Sequence, residues 1–194
     1  MNLPNQLTIA RFFVTLLFVA ALSSPWRYAH TAGLLLFLLG SATDYLDGEI
    51  ARRRNMVTDF GKLMDPLVDK IMMAAAFICL VPLGAFPAWV VVIIISREFL
   101  ITGLRLLAAS KGHVMPADNL GKHKTGWQIA TVIYFLVLLS AAEIDLAGWV
   151  SMSTAWAVAW KIGGPILIAV ALALTLYSGL GYAWRNRTLI TTAT

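Results

Sequence analysis

Six stretches of this chain stay apolar for long enough to form membrane-crossing helices: about residues 7–24, 30–50, 60–83, 86–108, 122–142 and 157–182. A helix needs roughly 20 apolar residues to cross about 30 Å of hydrocarbon, and each stretch meets that length. Turn-forming residues separate them: Ser23-Ser24-Pro25, Pro82-Leu83-Gly84 with Pro87, Lys111-Gly112, and Gly148. Gly163-Gly164-Pro165 falls inside the last stretch and predicts a kink there. The pattern predicts an all-α integral membrane protein, a six-transmembrane-helix bundle, with residues 1–194 forming one membrane domain.

The polar positions within these stretches are also periodic. Asn5, Thr8 and Arg11 recur every three residues. Glu98, Thr102 and Arg105 stand at i, i+4 and i+7, and so do Lys124, Gln128 and Thr131. Each set makes one stripe along a helix, and polar stripes on apolar helices face the bundle interior. Arg11, the apolar run after it and Ala21-Leu22-Ser23 loosely imitate a cleaved leader. A discarded leader has no need of a polar stripe, so the first segment is read as part of the bundle.

Composition agrees with this layout. The chain is 59% hydrophobic and 13% charged, with a mean hydropathy of +0.77. Soluble domains carry about a quarter charged residues. The net charge of +5 predicts no nucleic-acid partner, because the basic residues flank apolar segments and form no stripe on a soluble face. Arg11, Arg52, Arg53, Arg54, Lys62, Arg105, Lys111, Lys122, Lys124, Arg185 and Arg187 fall on one side if the first segment starts in the cytosol, and Arg27 and Lys161 on the other. The positive-inside rule then puts both termini and the Asp44–Asp69 region in the cytoplasm. Cys79 is the single cysteine, so no internal disulfide forms, and it reads as a packed hydrophobe.

Charge is distributed unevenly. Six of the ten acidic residues lie between Asp44 and Asp69. A carboxylate in or beside a bilayer costs several kcal/mol, which makes each one a functional candidate. Asp44 and Asp47 are three apart, and Asp65 and Asp69 four apart, so each pair shares a helix face. The basic run Arg52-Arg53-Arg54-Asn55 breaks the pattern between them and predicts a hairpin that sets the pairs face to face at the cytosolic rim. Four converging carboxylates cannot all ionise unaided, and a divalent cation removes the repulsion. Oxygen ligands suit Mg²⁺, Mn²⁺ or Ca²⁺. Gly48, Ala51 and Gly61 clear the facing surface of bulk, and Arg52 is placed to take a phosphate oxygen. Ion pairs with Arg52–Arg54, Lys62 and Lys70 do not by themselves account for four acids so spaced and interleaved with small residues. His30, His113 and His123 have no metal-ligand spacing.

The run Asp44-x₂-Asp47-Gly48-x₂-Ala51-Arg52-x₈-Gly61-x₃-Asp65-x₃-Asp69 resembles the signature of the CDP-alcohol phosphotransferases at every constrained position. The motif covers 26 residues, and the six-span layout resembles the family over the whole chain. Arg97-Glu98, Gly103-Leu104-Arg105, Gly121-Lys122-x-Lys124-Thr125-x-x-Gln128 and Pro4-Asn5-x-Leu7-Thr8-x-x-Arg11 look like the bacterial subgroup that makes phosphatidylglycerophosphate.

The resemblance implies transfer of a phosphatidyl group from CDP-diacylglycerol to sn-glycerol 3-phosphate in the inner (plasma) membrane. It implies two divalent cations, Mg²⁺ or Mn²⁺, on Asp44, Asp47, Asp65 and Asp69, with Asp69 also the catalytic base. It implies CDP contacts at Gly48, Ala51, Arg52, Gly61, Asn5 and Thr8, and acceptor-phosphate contacts at Arg105, Lys122, Lys124 and Arg11. It also implies a homodimer. From the residues alone, Lys122 and Lys124 read equally well as flanking charge against anionic lipid head groups. Two other readings stay open: the same chemistry with inositol phosphate or phosphatidylglycerol as acceptor, and a cation transporter using the aspartates as an ion path.

Overall fold

The computed structural model describes residues 3–54, 59–110, 119–145, 149 and 153–185, with side chains for all of these except 3–7, 44–54, 59–66, 69, 107, 109–110, 119–122 and 183. The helices are α1 (Leu3–Leu22), α2 (Ala29–Arg54), α3 (Asp59–Leu80), α4 (Ala88–Ser110), α5 (Asn119–Ile144), α6 (Thr154–Val158) and α7 (Gly164–Arg185). A π-helical turn, Ala159–Gly163, joins α6 to α7. No strand occurs among the described residues. Each of the six apolar segments is therefore helical.

Among the described residues two helical stretches, His123–Ile144 and Thr154–Tyr182, are long and apolar enough to cross a membrane. Thr8–Leu22, Ala29–Thr43 and Lys70–Leu80 are shorter apolar helical stretches. α2 and α3 carry the acidic motif as helix, through Asp44–Arg54 and Asp59–Asp69. Arg97, Glu98 and Arg105 interrupt the apolar run of α4, which stays helical throughout.

Polarity in the bundle is partly reversed relative to a soluble domain. Leu17, Leu35, Val92, Leu100, Ile166 and Leu180 face outward, while Thr8, Arg11, Thr15, Lys124, Gln128, Thr131, Thr175 and Ser178 are buried. Lipid tails are as apolar as leucine, so such a bundle is held by close packing and interior hydrogen bonds. Neighbour packing closes a ring in the order α1, α2, α5, α7, α4, α3 and back to α1. Its aromatic core runs from Phe77 to Phe86, Phe135 and Trp160, with successive ring centroids 5.2, 5.3 and 5.3 Å apart. Such pairs contribute about 0.5–1.5 kcal/mol each beyond their burial.

The turn between α3 and α4 places Gly84 at φ +72°, a left-handed conformation that glycine adopts without steric cost. The expected break at Gly163-Gly164-Pro165 takes the form of the π turn, in which the Gly164 N–H donates to Ala159 O, five residues back. The Tyr134 hydroxyl donates to the same carbonyl at 2.8 Å. A side chain at Gly164 would place its Cβ 2.7 Å from Phe135 Cζ, so the glycine lets α5 and α7 approach closely.

At the end of the bundle where α2 begins, Glu143 of α5 caps that helix. Its carboxylate accepts from the His30 N–H at 2.9 Å, the Thr31 N–H at 2.7 Å and the Thr31 hydroxyl at 2.7 Å. His30 Nδ1 lies 3.1 Å from Glu143 Oε1. A carboxylate is stabilising at a helix N-terminus, where unsatisfied N–H groups point outward.

Candidate active site

Asp44, Asp47, Gly48, Ala51 and Arg52 lie on α2, and Gly61, Asp65 and Asp69 on α3. Both aspartate pairs are thus on helical backbone at the spacings that share a face. The chain leaves α2 at Arg54 and enters α3 at Asp59. At 1.5 Å per residue, Asp44 and Asp69 each stand about 15 Å along their helix from that junction, and Asp47 and Asp65 each about 10 Å. The two pairs match in register. The side chains of these eight motif residues, and of Asn5 and Lys122, lie outside the described residues. Among the described residues no cluster of three or more His, Cys, Asp or Glu side chains gathers. Carboxylates at the four aspartate positions are oxygen donors. An all-oxygen set on two consecutive helices suits Mg²⁺ or Mn²⁺.

A charged cluster forms around Glu98. Lys70, the residue after Asp69, donates from Nζ to Glu98 Oε2 at 2.9 Å. Arg97 Nη1 reaches Glu98 Oε1 at 3.3 Å, and Lys124 Nζ is bound to the same oxygen. Arg97 Nη2 donates to Ser178 Oγ at 3.0 Å, and Ser178 donates in turn to Leu174 O at 2.7 Å. One carboxylate on α4 therefore ties α3 and α5 together, and Arg97 carries the link to α7. Gly179 permits that approach, since a Cβ there would sit 2.9 Å from Arg97 Cγ. About one turn further along α5, Gln128 Nε2 donates to Thr175 Oγ1 at 2.9 Å. Removing one partner of a buried ion pair costs about 3–5 kcal/mol, so the cluster is strongly interdependent.

A cavity of about 250 Å³ opens beside the cluster. Arg11 of α1, Ser41 of α2, Lys70 of α3, Glu98 of α4, and Thr125 and Gln128 of α5 give it a polar lining. Phe77, Ile94 and Ile129 are among the residues that line it with apolar surface. The three polar stripes read from the sequence converge here in part. Thr8 and Arg11 are buried, and Thr15 joins their face with its hydroxyl on Arg11 O at 2.9 Å. Glu98, Lys124, Gln128 and Thr131 are buried as the periodicity requires.

The expected anion ligands do not all meet in this cavity. Arg11 lines it; Arg105 is exposed and does not. Lys124 is 2% exposed, with its ammonium held by Glu98 behind the lining. Lys70, not among the expected site residues, does line the cavity. Its signal in the sequence was its position directly after Asp69, but a lysine flanking an acidic motif reads first as a counter-charge. Arg97 with Ser178, and Gln128 with Thr175, were also missed as pairs. Their partners lie 81 and 47 residues away on α7, beyond the reach of local periodicity.

Residues 1–161 match the family model described as CDP-alcohol phosphatidyltransferase. The chain belongs to this family. As a CDP-alcohol phosphatidyltransferase it is an enzyme, a transferase. It is 43% identical over 169 residues to the CDP-diacylglycerol–glycerol-3-phosphate 3-phosphatidyltransferase of Bacillus subtilis (strain 168), covering 78% of this chain and 88% of that one. It is 34% identical over 181 residues to the protein of the same name from Rickettsia felis, covering 93% of each. A probable phosphatidylglycerophosphate synthase of Mycobacterium tuberculosis is 32% identical over 187 residues, covering 95% of this chain and 81% of the relative.

Proposed function

We propose that this phosphatidyltransferase moves the phosphatidyl group of CDP-diacylglycerol to sn-glycerol 3-phosphate, giving phosphatidylglycerophosphate and CMP. The observation that carries this reading is similarity along most of the chain to relatives named for that reaction. The intact Asp44–Asp69 motif supports it.

Asp44, Asp47, Asp65 and Asp69 are the residues that would hold two divalent cations, Mg²⁺ or Mn²⁺. When bound, such a pair neutralises the diphosphate and the developing charge on the leaving group. Asp69 takes the proton from the acceptor's free primary hydroxyl. That oxygen forms the new bond to the phosphatidyl phosphorus as the bond to the CMP oxygen breaks. Gly48, Ala51 and Gly61 leave room for CDP against the backbone, and Arg52, Asn5 and Thr8 bind its polar groups. Arg11, Arg105, Lys122 and Lys124 make the acceptor end positive.

The same reading places six spans in a bacterial plasma membrane, in a homodimer, with both termini and the active site cytoplasmic. The lysine and arginine bias between alternate connections supports that orientation. A rim site suits the substrates, since the donor is a lipid and the acceptor is water-soluble.

The test is CMP release by the purified protein in detergent with CDP-diacylglycerol, a divalent cation and a panel of acceptors: glycerol 3-phosphate, inositol phosphate, inositol, serine and phosphatidylglycerol. Release with glycerol 3-phosphate alone is expected. Release only with another acceptor would keep the chemistry and overturn the acceptor assignment. Failure even to bind CDP would point to ion passage along the aspartates.

A further inference from the structure

Glu98 presents a puzzle for an acceptor pocket. A carboxylate lining a cavity that receives a phosphate should repel it. The geometry around its two oxygens resolves this. Oε1 holds Arg97 and Lys124, and neither of these lines the cavity. Oε2 holds Lys70, which does. Side-chain exposure is graded in the same sense: 3% for Lys124, 14% for Arg97 and 27% for Lys70. Arg97 is itself fixed to α7 through Ser178. The two rear cations thus pin the carboxylate, and the carboxylate aims Lys70, the described cation of the cluster that lines the cavity. Among the described members of the cluster, three cations face one carboxylate, so it stays net positive towards the cavity.

We propose that Lys70 is a phosphate-binding residue for the acceptor, and that Glu98, anchored by Lys124 and Arg97, is a positioning residue that aims it. This rests on the glycerol 3-phosphate reading above and sharpens it. Lys124 then acts through Glu98 and makes no direct contact with the phosphate, while Lys70 and Arg11 flank the anion from α3 and α1. An ammonium suits the task as a compact point charge with three donors: it gives one to Glu98 and keeps two for phosphate oxygens. A lysine left unpinned on its four-carbon stem would sample many rotamers, and ordering it on binding would weaken acceptor affinity.

The test is a double-mutant cycle on the full-length enzyme in detergent with Lys70→Gln, Glu98→Gln and the pair together, measuring KM and kcat for glycerol 3-phosphate and for CDP-diacylglycerol separately. Lys70→Gln should raise the KM for glycerol 3-phosphate by about tenfold or more, with the KM for CDP-diacylglycerol within about twofold of wild type. Glu98→Gln should shift the same constant in the same direction by less. The double variant should be no worse than Lys70→Gln alone, because Glu98 has nothing left to position. A purely structural clasp gives a different result: additive losses, spread over both substrates. An unchanged KM for glycerol 3-phosphate in Lys70→Gln overturns the proposal, and so does full additivity. If Glu98→Gln does not fold, Glu98→Asp replaces it, keeping the charge and shortening its reach, with a several-fold rise in the same KM expected. Wild-type protein that turns over another acceptor but not glycerol 3-phosphate would instead defeat the functional reading itself.

Discussion

At the scale of single residues, the polar positions on apolar helices carry most of the information. Glu98, Lys124 and Gln128 were legible as inward-facing from spacing, and all three are buried, whereas Arg105, on the same stripe as Glu98, is exposed. Their partners were not legible. Glu98 at the centre of the cluster meets Lys70 at a separation of 28 residues and Lys124 at 26, and such pairings are set by helix packing. The family resemblance implied an acceptor-phosphate contact for Lys124; in the folded protein its ammonium is held by Glu98. Asp69 carries the sharpest prediction at this scale. Asp69→Asn keeps the size and one oxygen of the side chain but removes its basicity. CMP release should fall by at least about a hundredfold, the lower end of what a general base contributes, while CDP binding by calorimetry is retained in part. Turnover near the wild-type rate would remove Asp69 from the base role.

At the scale of elements, helix existence was legible and helix ends were less so. The apolar runs gave all six long helices. The motif stretches 44–54 and 59–69 extend α2 and α3 well past the apolar cores, because the acids are placed on helical backbone and not in a loop. The glycine–proline break took the form of a π turn in which Ala159 O accepts from the Gly164 N–H and the Tyr134 hydroxyl. The Glu143 cap on α2 was invisible in sequence, since a lone acid beyond an apolar segment reads as interfacial charge. It makes a stability prediction. Glu143→Ala strips the acceptor from two first-turn N–H groups and one hydroxyl, a loss of about 1–2 kcal/mol. The thermal midpoint in detergent should drop by several degrees with kcat preserved; an unchanged midpoint would mean that water replaces the cap without cost.

At the scale of the molecule, the ring of six long helices places the cavity between α1, α2, α3, α4 and α5. Large apolar residues are exposed on the outside, and Arg11, Glu98 and Lys124 are buried inside. That arrangement suits a reaction between a membrane-embedded donor and a soluble anionic acceptor. The most direct test of this account uses ¹³C-labelled sn-glycerol 3-phosphate with CDP-diacylglycerol, the purified protein and a divalent cation, reading the lipid product by mass spectrometry. The account predicts labelled phosphatidylglycerophosphate in one-to-one yield with CMP, lost on chelation of the cation. CMP formed without label entering any lipid would contradict it.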